Sequence, residues 1–380
     1  MKHAFLIALL LFIPLIAQAA FVPQAPDIKA SSYVLMDYAS GDILAARKPN
    51  QQEAPASLTK LMTMYITFDL LQKGRLHLDD KVHISEKAWR TGIDGSASRM
   101  FVEVGDRVPV DLLIRGVIVD SGNDASIALA EHIAGSVSSF AGLMNQYAKR
   151  LGMTHSHFVN ADGLPADDHY SSAEDLAHLA RHLIRDFPEY YHYFSQKSFT
   201  YDNIKQYNRV HLLFTDPSVD GLKTGYTKAA GYCELVSAKR DGRRLISIVM
   251  GTPSEKYRNV ANEQLLNYGF RFFETDKLLG KDKPALDVRV YKGAAEQVPL
   301  GTVKPVYLGL PHGSADKLKI VPQIDARLVA PIALGQQLGS AAIKLGDKTL
   351  RTVPLVALKA VPEGSFFHNV VDQIKLWIKG

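Results

Sequence analysis

At 380 residues, 47% apolar and 22% charged, the chain has the make-up of a soluble globular protein with room for two domains and a large core. Its net charge of +5 is mild, and no dense Lys/Arg block interleaved with aromatics occurs, so nucleic acid has little support as a partner. The single cysteine, Cys233, excludes an intramolecular disulfide and, lying in an apolar run, reads as a small buried hydrophobe.

Lys2 precedes an unbroken apolar run over residues 4–16, and Ala17-Gln18-Ala19 follows as a small-x-small cleavage site. Residues 1–19 therefore read as a secretory signal peptide, too short for a spanning helix, and the chain is expected to be exported. Next, Tyr33-Val34-Leu35-Met36-Asp37-Tyr38 and Ile43-Leu44-Ala45-Ala46 flank Ala39-Ser40-Gly41-Asp42, a β-hairpin pattern. Behind Pro55, the residues Leu58, Leu61, Met62, Ile66, Leu70 and Leu71 recur at helical spacing until Lys73-Gly74. Ser57 is an N-cap type, and an i,i+3 step brings Lys60 to the same face. At such a helix start the N–H groups are unpaired and negative charge is favoured, which suits a serine that attacks a carbonyl. Taken alone, the stretch is better read as a capped core helix with a surface lysine.

A polar loop over 92–98 leads to a helix at about 110–118. The chain breaks at Asp120-Ser121-Gly122-Asn123-Asp124 and resumes as helices over about 125–133, 140–151 and 173–184. The long polar loop between the last two, residues 160–172, has the length of a functional loop. From Phe199 the period shifts towards two. Segments 231–236 and 244–250 read as strands around a turn containing Asp241-Gly242, and a helix over about 255–273 follows. Strands at both ends with helices between predict one sheet built from the two ends of a mixed α/β domain. Residues 277–283 are lysine-rich and read as a linker. Short strands such as Asp287-Val288-Arg289-Val290-Tyr291 and Thr302-Val303-Lys304-Pro305-Val306-Tyr307, with a Gly346-Asp347 hairpin turn, predict a small all-β domain over about 283–362. In the last residues Phe366, Phe367, Val370, Val371, Ile374, Trp377 and Ile378 share a helical face, opposite His368, Asn369, Asp372, Gln373, Lys375 and Lys379. Such a helix is about 20 Å long, too short and too charged to span a bilayer, and suits the membrane interface. The competing reading is a terminal helix docked on the chain's own core or on a second copy.

Three polar clusters stand on different segments: Ser57-x-x-Lys60, Ser121-Gly122-Asn123 and Lys223-Thr224-Gly225. Each is uninformative singly, but their order and their placement on helix, loop and strand are specific, and together they form a known signature. The chain resembles the low-molecular-mass penicillin-binding proteins, the exported D-alanyl-D-alanine carboxypeptidases, over nearly its whole length. The resemblance implies a serine β-lactamase/transpeptidase-like catalytic domain over residues 20–276, with a mainly antiparallel sheet and flanking helices. It also implies the small β domain and an amphipathic membrane anchor over residues 365–380 at the periplasmic face of the cytoplasmic membrane. Ser57 would be the acylated nucleophile and Lys60 its general base. Ser121 would relay protons towards the leaving group, and Asn123 would orient Lys60 and bond the substrate peptide. Lys223 and Thr224 would bind the terminal carboxylate beside Gly225, the backbone N–H groups of Ser57 and Tyr226 would form the oxyanion hole, and Arg258 is a candidate second carboxylate ligand. The implied substrate is a peptidoglycan stem pentapeptide and the implied inhibitors are β-lactams; neither metal nor organic cofactor is implied.

The base role asks for a lysine shifted by roughly three pH units from its usual range near 10.4, about 4 kcal/mol, through burial and a neighbouring cation, for which Lys223 is the expected source. The chain departs from the family pattern at Tyr226 and Asp162, where many members carry histidine, and both bear on deacylation. A β-lactamase would need a glutamate in the 160–172 loop, which has none. The pair His178-x-x-x-His182 lacks the adjacent glutamate of zincin chemistry, Leu179 standing there instead. A DD-endopeptidase of the same family, and a penicillin- or peptidoglycan-binding protein without turnover, are the remaining alternatives.

Overall fold

The computed structural model describes residues 22–324 and 327–378, so the signal-peptide reading lies outside the described residues. Strands β1 (Ser32–Asp37) and β2 (Ile43–Arg47) form the expected hairpin. They join β3 (Val219–Thr227), β4 (Gly231–Arg240) and β5 (Arg243–Thr252) in one antiparallel sheet of order β2-β1-β5-β4-β3. The pairing of β1 with β5 unites the two ends of the domain, as the strand distribution predicts.

Alternation along the strands builds two apolar layers. From β4, Cys233 and Leu235 enter the layer that holds α1 (Lys60–Gln72), whereas Val236 and Ala238 enter the layer under a later helix. Helix α1 is buried nearly all round, through Leu61, Met62, Met64, Ile66 and Phe68, and forms the axis of the helical half. Around it stand α2 (Val110–Ile118), α3 (Asn123–Ala134), α4 (Val137–Arg150) and α5 (Ala173–Asp186). Helix α6 (Glu255–Phe272) covers the opposite face of the sheet with Ala261, Leu265 and Leu266. The cleft described below opens at the edge strand β3, where the sheet meets the helical half.

The stretch expected as a linker begins inside a strand. Phe273–Leu279 pairs antiparallel with Val306–Pro311, because Leu278 and Leu279 belong to the apolar cluster of the β domain. The expected strand from Thr302 likewise starts only at Val306; Pro305 precedes it and can donate no ladder hydrogen bond. A six-stranded sheet completes this domain, and its hairpin turns at Gly346-Asp347 as read from the sequence. The two domains are tied by Asp42, whose carboxylate accepts from the Gly309 N–H at 2.9 Å and pairs with Arg351.

Helix α7 (Phe366–Ile378) meets the β domain at Asp372. Asp372, 1% exposed, accepts from the Lys292 N–H at 2.8 Å. Phe366, Phe367 and Trp377 are at least three-quarters exposed. No single described helix is long and apolar enough to cross a membrane.

Candidate active site

Ser57 is not the N-cap of α1. It sits in a 3-10 turn, Ala56–Thr59, that runs straight into the helix, and its side chain caps no helical N–H. Its Oγ instead accepts from Lys60 Nζ at 2.9 Å. Ala56 holds a left-handed φ of +47°, a costly conformation for a residue with a Cβ, and the packing around it fixes the turn. Gly163 (φ +84°) lies so close that a Cβ there would stand 1.9 Å from the Ala56 carbonyl oxygen. On the other side a Cβ on Gly225 would be 3.1 Å from the Ser57 nitrogen. The 160–172 loop and strand β3 thus clamp the serine turn; the first contact requires glycine and the second leaves a Cβ little room.

Lys60 is 1% exposed. Its Nζ donates to Ser57 Oγ, to Asn123 Oδ1 at 2.8 Å and to the Asp162 carbonyl at 2.5 Å, which uses all three ammonium protons. Burial brings its pKa down to about 8, against the carboxylates of Asp162 and Asp124, which favour the charged form. Two cations oppose its charged form: Arg209 and, as expected, the buried Lys223, which repels it. Lys223 is itself held well below the usual lysine range by burial, then by Lys60, Arg209 and Arg258. Once neutral, Lys60 can take a proton from Ser57 across the same 2.9 Å contact.

The second cluster lies where α2 ends and α3 begins. Ser121 has φ +58°, and the Asn123 N–H and Nδ2 both donate to the Ser98 carbonyl, at 2.9 and 2.8 Å. Asn123 therefore presents Oδ1 to Lys60. Asp124 accepts the N–H groups of Met100 and Phe101, each at 2.9 Å, and so ties the 98–102 segment to the break. Burial pushes Asp120 up to about 7, against Arg209, and its Oδ1 is buried without a partner.

On β3, Lys223 Nζ donates to the Thr224 carbonyl at 3.2 Å. The Tyr226 and Tyr232 rings lie 4.3 Å apart, centroid to centroid. Arg258 projects from α6 and pairs with Glu255 at 3.0 Å. Ser57, Ser121, Asn123, Thr224, Gly225, Tyr226 and Arg258 line one cleft of about 790 Å³, while Lys60 and Lys223 are buried. The residues singled out in the sequence thus converge on one place, and a pair of cations plus neutralisable lysine beside a serine can bind a carboxylate and support acyl transfer.

Two side chains of this region escaped the sequence reading. Arg209 lines the cleft from an irregular segment with no motif around it. His169, at the end of the 160–172 loop, accepts the Val159 N–H on Nδ1 at 3.1 Å, so its Nε2 carries the proton and donates to Thr59 Oγ1 at 2.8 Å. Burial brings it down to about 4, and it stays neutral. Its packing role beside the serine turn has no sequence signal. Cys233 is fully buried, as expected, and its thiol is pushed up to about 12.

Residues 19–254 match the family model described as D-alanyl-D-alanine carboxypeptidase, and residues 273–363 match that of the penicillin-binding protein 5 C-terminal domain. The chain is 42% identical over 359 residues to the D-alanyl-D-alanine carboxypeptidase DacA of Escherichia coli, covering 93% of this chain and 89% of that one. It is 33% identical to DacF of Bacillus subtilis, covering 92% and 90%. Penicillin binding protein 5 from Haemophilus influenzae superposes with a TM-score of 0.86 at 43% identity, covering 90% of this chain and 100% of that one.

Proposed function

The chain belongs to the D-alanyl-D-alanine carboxypeptidase family, and from that premise we propose that Ser57 is its acylated nucleophile and Lys60 the base. The protein is a serine-type carboxypeptidase. The observation that carries the residue assignment is the buried Lys60 Nζ, 2.9 Å from Ser57 Oγ.

In this reading neutral Lys60 removes the Ser57 proton as Oγ attacks the carbonyl carbon of the penultimate D-alanine. The oxyanion forms beside the N–H groups of Ser57 and Tyr226. Ser121 passes a proton to the departing amine, D-alanine leaves, and water cleaves the ester that remains on Ser57. Lys223, Thr224 and Arg258 receive the substrate's terminal carboxylate, and Asn123 both orients Lys60 and bonds the substrate peptide. The substrate is a peptidoglycan stem pentapeptide, and β-lactams acylate the same oxygen. The outward apolar side of α7 seats the protein on the periplasmic face of the cytoplasmic membrane, as its exposed Phe366, Phe367 and Trp377 support. The last residues of the chain, 365–380, form that anchor.

Mass spectrometry of a D-Ala-D-Ala pentapeptide incubated with the protein tests the reading. Release of one alanine, lost in Ser57→Ala, is expected. An intact terminus with cleavage of a cross-linked dimer would instead identify an endopeptidase. For the anchor, the chain lacking residues 366–380 should stay in the supernatant with anionic phospholipid vesicles; co-sedimentation equal to that of the full chain would rule it out.

A further inference from the structure

Strand β4 carries a carboxylate where its neighbours are apolar. Val236 and Ala238 point into the layer under α6, and Glu234, fully buried, stands on the same face. The register pairs Glu234 with Thr224 on β3 and with Val249 on β5, so Glu234 and Thr224 share that face. Asn262 Nδ2 donates to Glu234 Oε2 at 3.0 Å, and Ser247 Oγ fixes that amide by donating to Asn262 Oδ1 at 2.7 Å. The Asn259 amide nitrogen, in the orientation that satisfies both groups, donates at 3.1 Å to Oε1.

Amides solvate the carboxylate but bring no charge, and a buried anion is costly without a cation. The charged groups that act on Glu234 both come from α6: Arg258, which attracts it, and Glu255, which repels it. From β3 and β5 it meets Thr224, Val249 and, through Asn262, Ser247. Arg258 is buried too. One side of its guanidinium pairs with the exposed Glu255, its Cζ lies 5.9 Å from the Tyr232 ring centroid, and its Nε is buried without a partner. The same guanidinium lines the cleft beside Thr224.

We propose that Glu234 is a positioning residue that competes with the substrate's terminal carboxylate for Arg258, so that substrate binding takes up a proton at Glu234. The proposal rests on the reading of Arg258 as a carboxylate ligand. With Glu234 ionised, the guanidinium charge is shared with an internal anion. With Glu234 protonated, that charge is available to the ligand. Burial pushes the Glu234 carboxyl up to about 7 against the pull of Arg258, which puts the exchange near neutrality. A second carboxylate beside Arg258 repels the first, so affinity must fall as pH rises through this range. Repulsion between two like charges across a partly hydrated cleft implies a change of roughly five- to tenfold.

The test is calorimetric titration of a diacetyl-L-Lys-D-Ala-D-Ala peptide into the Ser57→Ala protein between pH 5.5 and 8.5, in two buffers of different ionisation enthalpy. Binding should weaken five- to tenfold from pH 6 to pH 8, with net proton uptake near pH 7. Adding Glu234→Gln, which keeps the shape and one of the two amide contacts while Asn259 can turn its oxygen to the new NH2, should remove the uptake and hold affinity at the low-pH value. Binding without proton uptake in the Glu234 protein overturns the proposal, whether or not the variant folds. So does a Glu234→Gln protein with an unchanged pH profile. Arg258→Gln should bind weakly at every pH. If it binds as tightly as its parent, the carboxylate reading of Arg258 fails, which is a separate outcome.

Discussion

Asp162→Asn isolates the electrostatics of the proposed base. The Asp162 carbonyl accepts from Lys60, and its side-chain Oδ1 accepts the Leu164 N–H at 3.2 Å, a contact that an asparagine oxygen can keep. The carboxylate is the leading charge that favours protonated Lys60. At an effective dielectric near 20, one such neighbouring charge is worth about 2 kcal/mol, or about 1.5 pH units. Removing it disfavours the ammonium, so Lys60 should move from about 8 to roughly 6.5. At pH 7 the neutral fraction then rises from about one in ten to about three in four. The weaker base returns part of this gain, which leaves acylation about three- to fivefold faster at pH 7 and about twofold slower at pH 9.5, where both forms of Lys60 are neutral. The assay is the second-order rate of acylation by a fluorescent penicillin, followed by stopped flow from pH 5.5 to 9.5. An acid limb that stays in place, or moves to higher pH, would refute the reasoning.

Lys60→Arg keeps a cation within reach of Ser57 and Asn123 but cannot surrender a proton, so penicillin acylation should fall by roughly 10³ with the fold intact by circular dichroism. Gly163→Ala forces a Cβ against the Ala56 carbonyl at φ +84°; denaturant titration should show a loss of about 2–4 kcal/mol, and acylation should slow because the serine turn must move. Asp120 is held neutral by burial, with its pKa pushed up from 3.8 to about 7. The stability conferred by that neutral form is present below pH 4 and is lost as pH rises through 7. Asp120→Asn, neutral throughout, should therefore gain on the wild type by about 2 kcal/mol between pH 4 and pH 8 in denaturant titrations, roughly half of what the full shift would give.

Much of this was legible because the local patterns are strong. The periodicity that starts at Leu58 and the Gly74 stop give α1 its bounds, and alternation on either side of Asp241-Gly242 gives β4 and β5. The three clusters announced the site because their order and their placement on helix, loop and strand are specific in combination. What escaped depends on packing between distant segments. Ser57 looks like a helix cap by residue type, yet the clamp of Gly163 and Gly225 draws it into a 3-10 turn and Lys60 takes its oxygen. Arg209 adds to Lys223 as a cation near Lys60 from a segment without any motif. Lys277 and Lys281 made a strand end look like a linker, because the apolar partners of Leu278 and Leu279 lie far along the chain. Glu234 sits in a run that reads as an ordinary buried strand, and only the register against Thr224 and the facing asparagines of α6 give it a meaning.

The central claim is that Ser57 forms the covalent acyl-enzyme. Peptide mapping by mass spectrometry after reaction with a penicillin tests it most directly. One adduct per chain is predicted, on the peptide that contains Ser57, and none in Ser57→Ala. An adduct on another residue, or undiminished labelling of Ser57→Ala, would contradict the account.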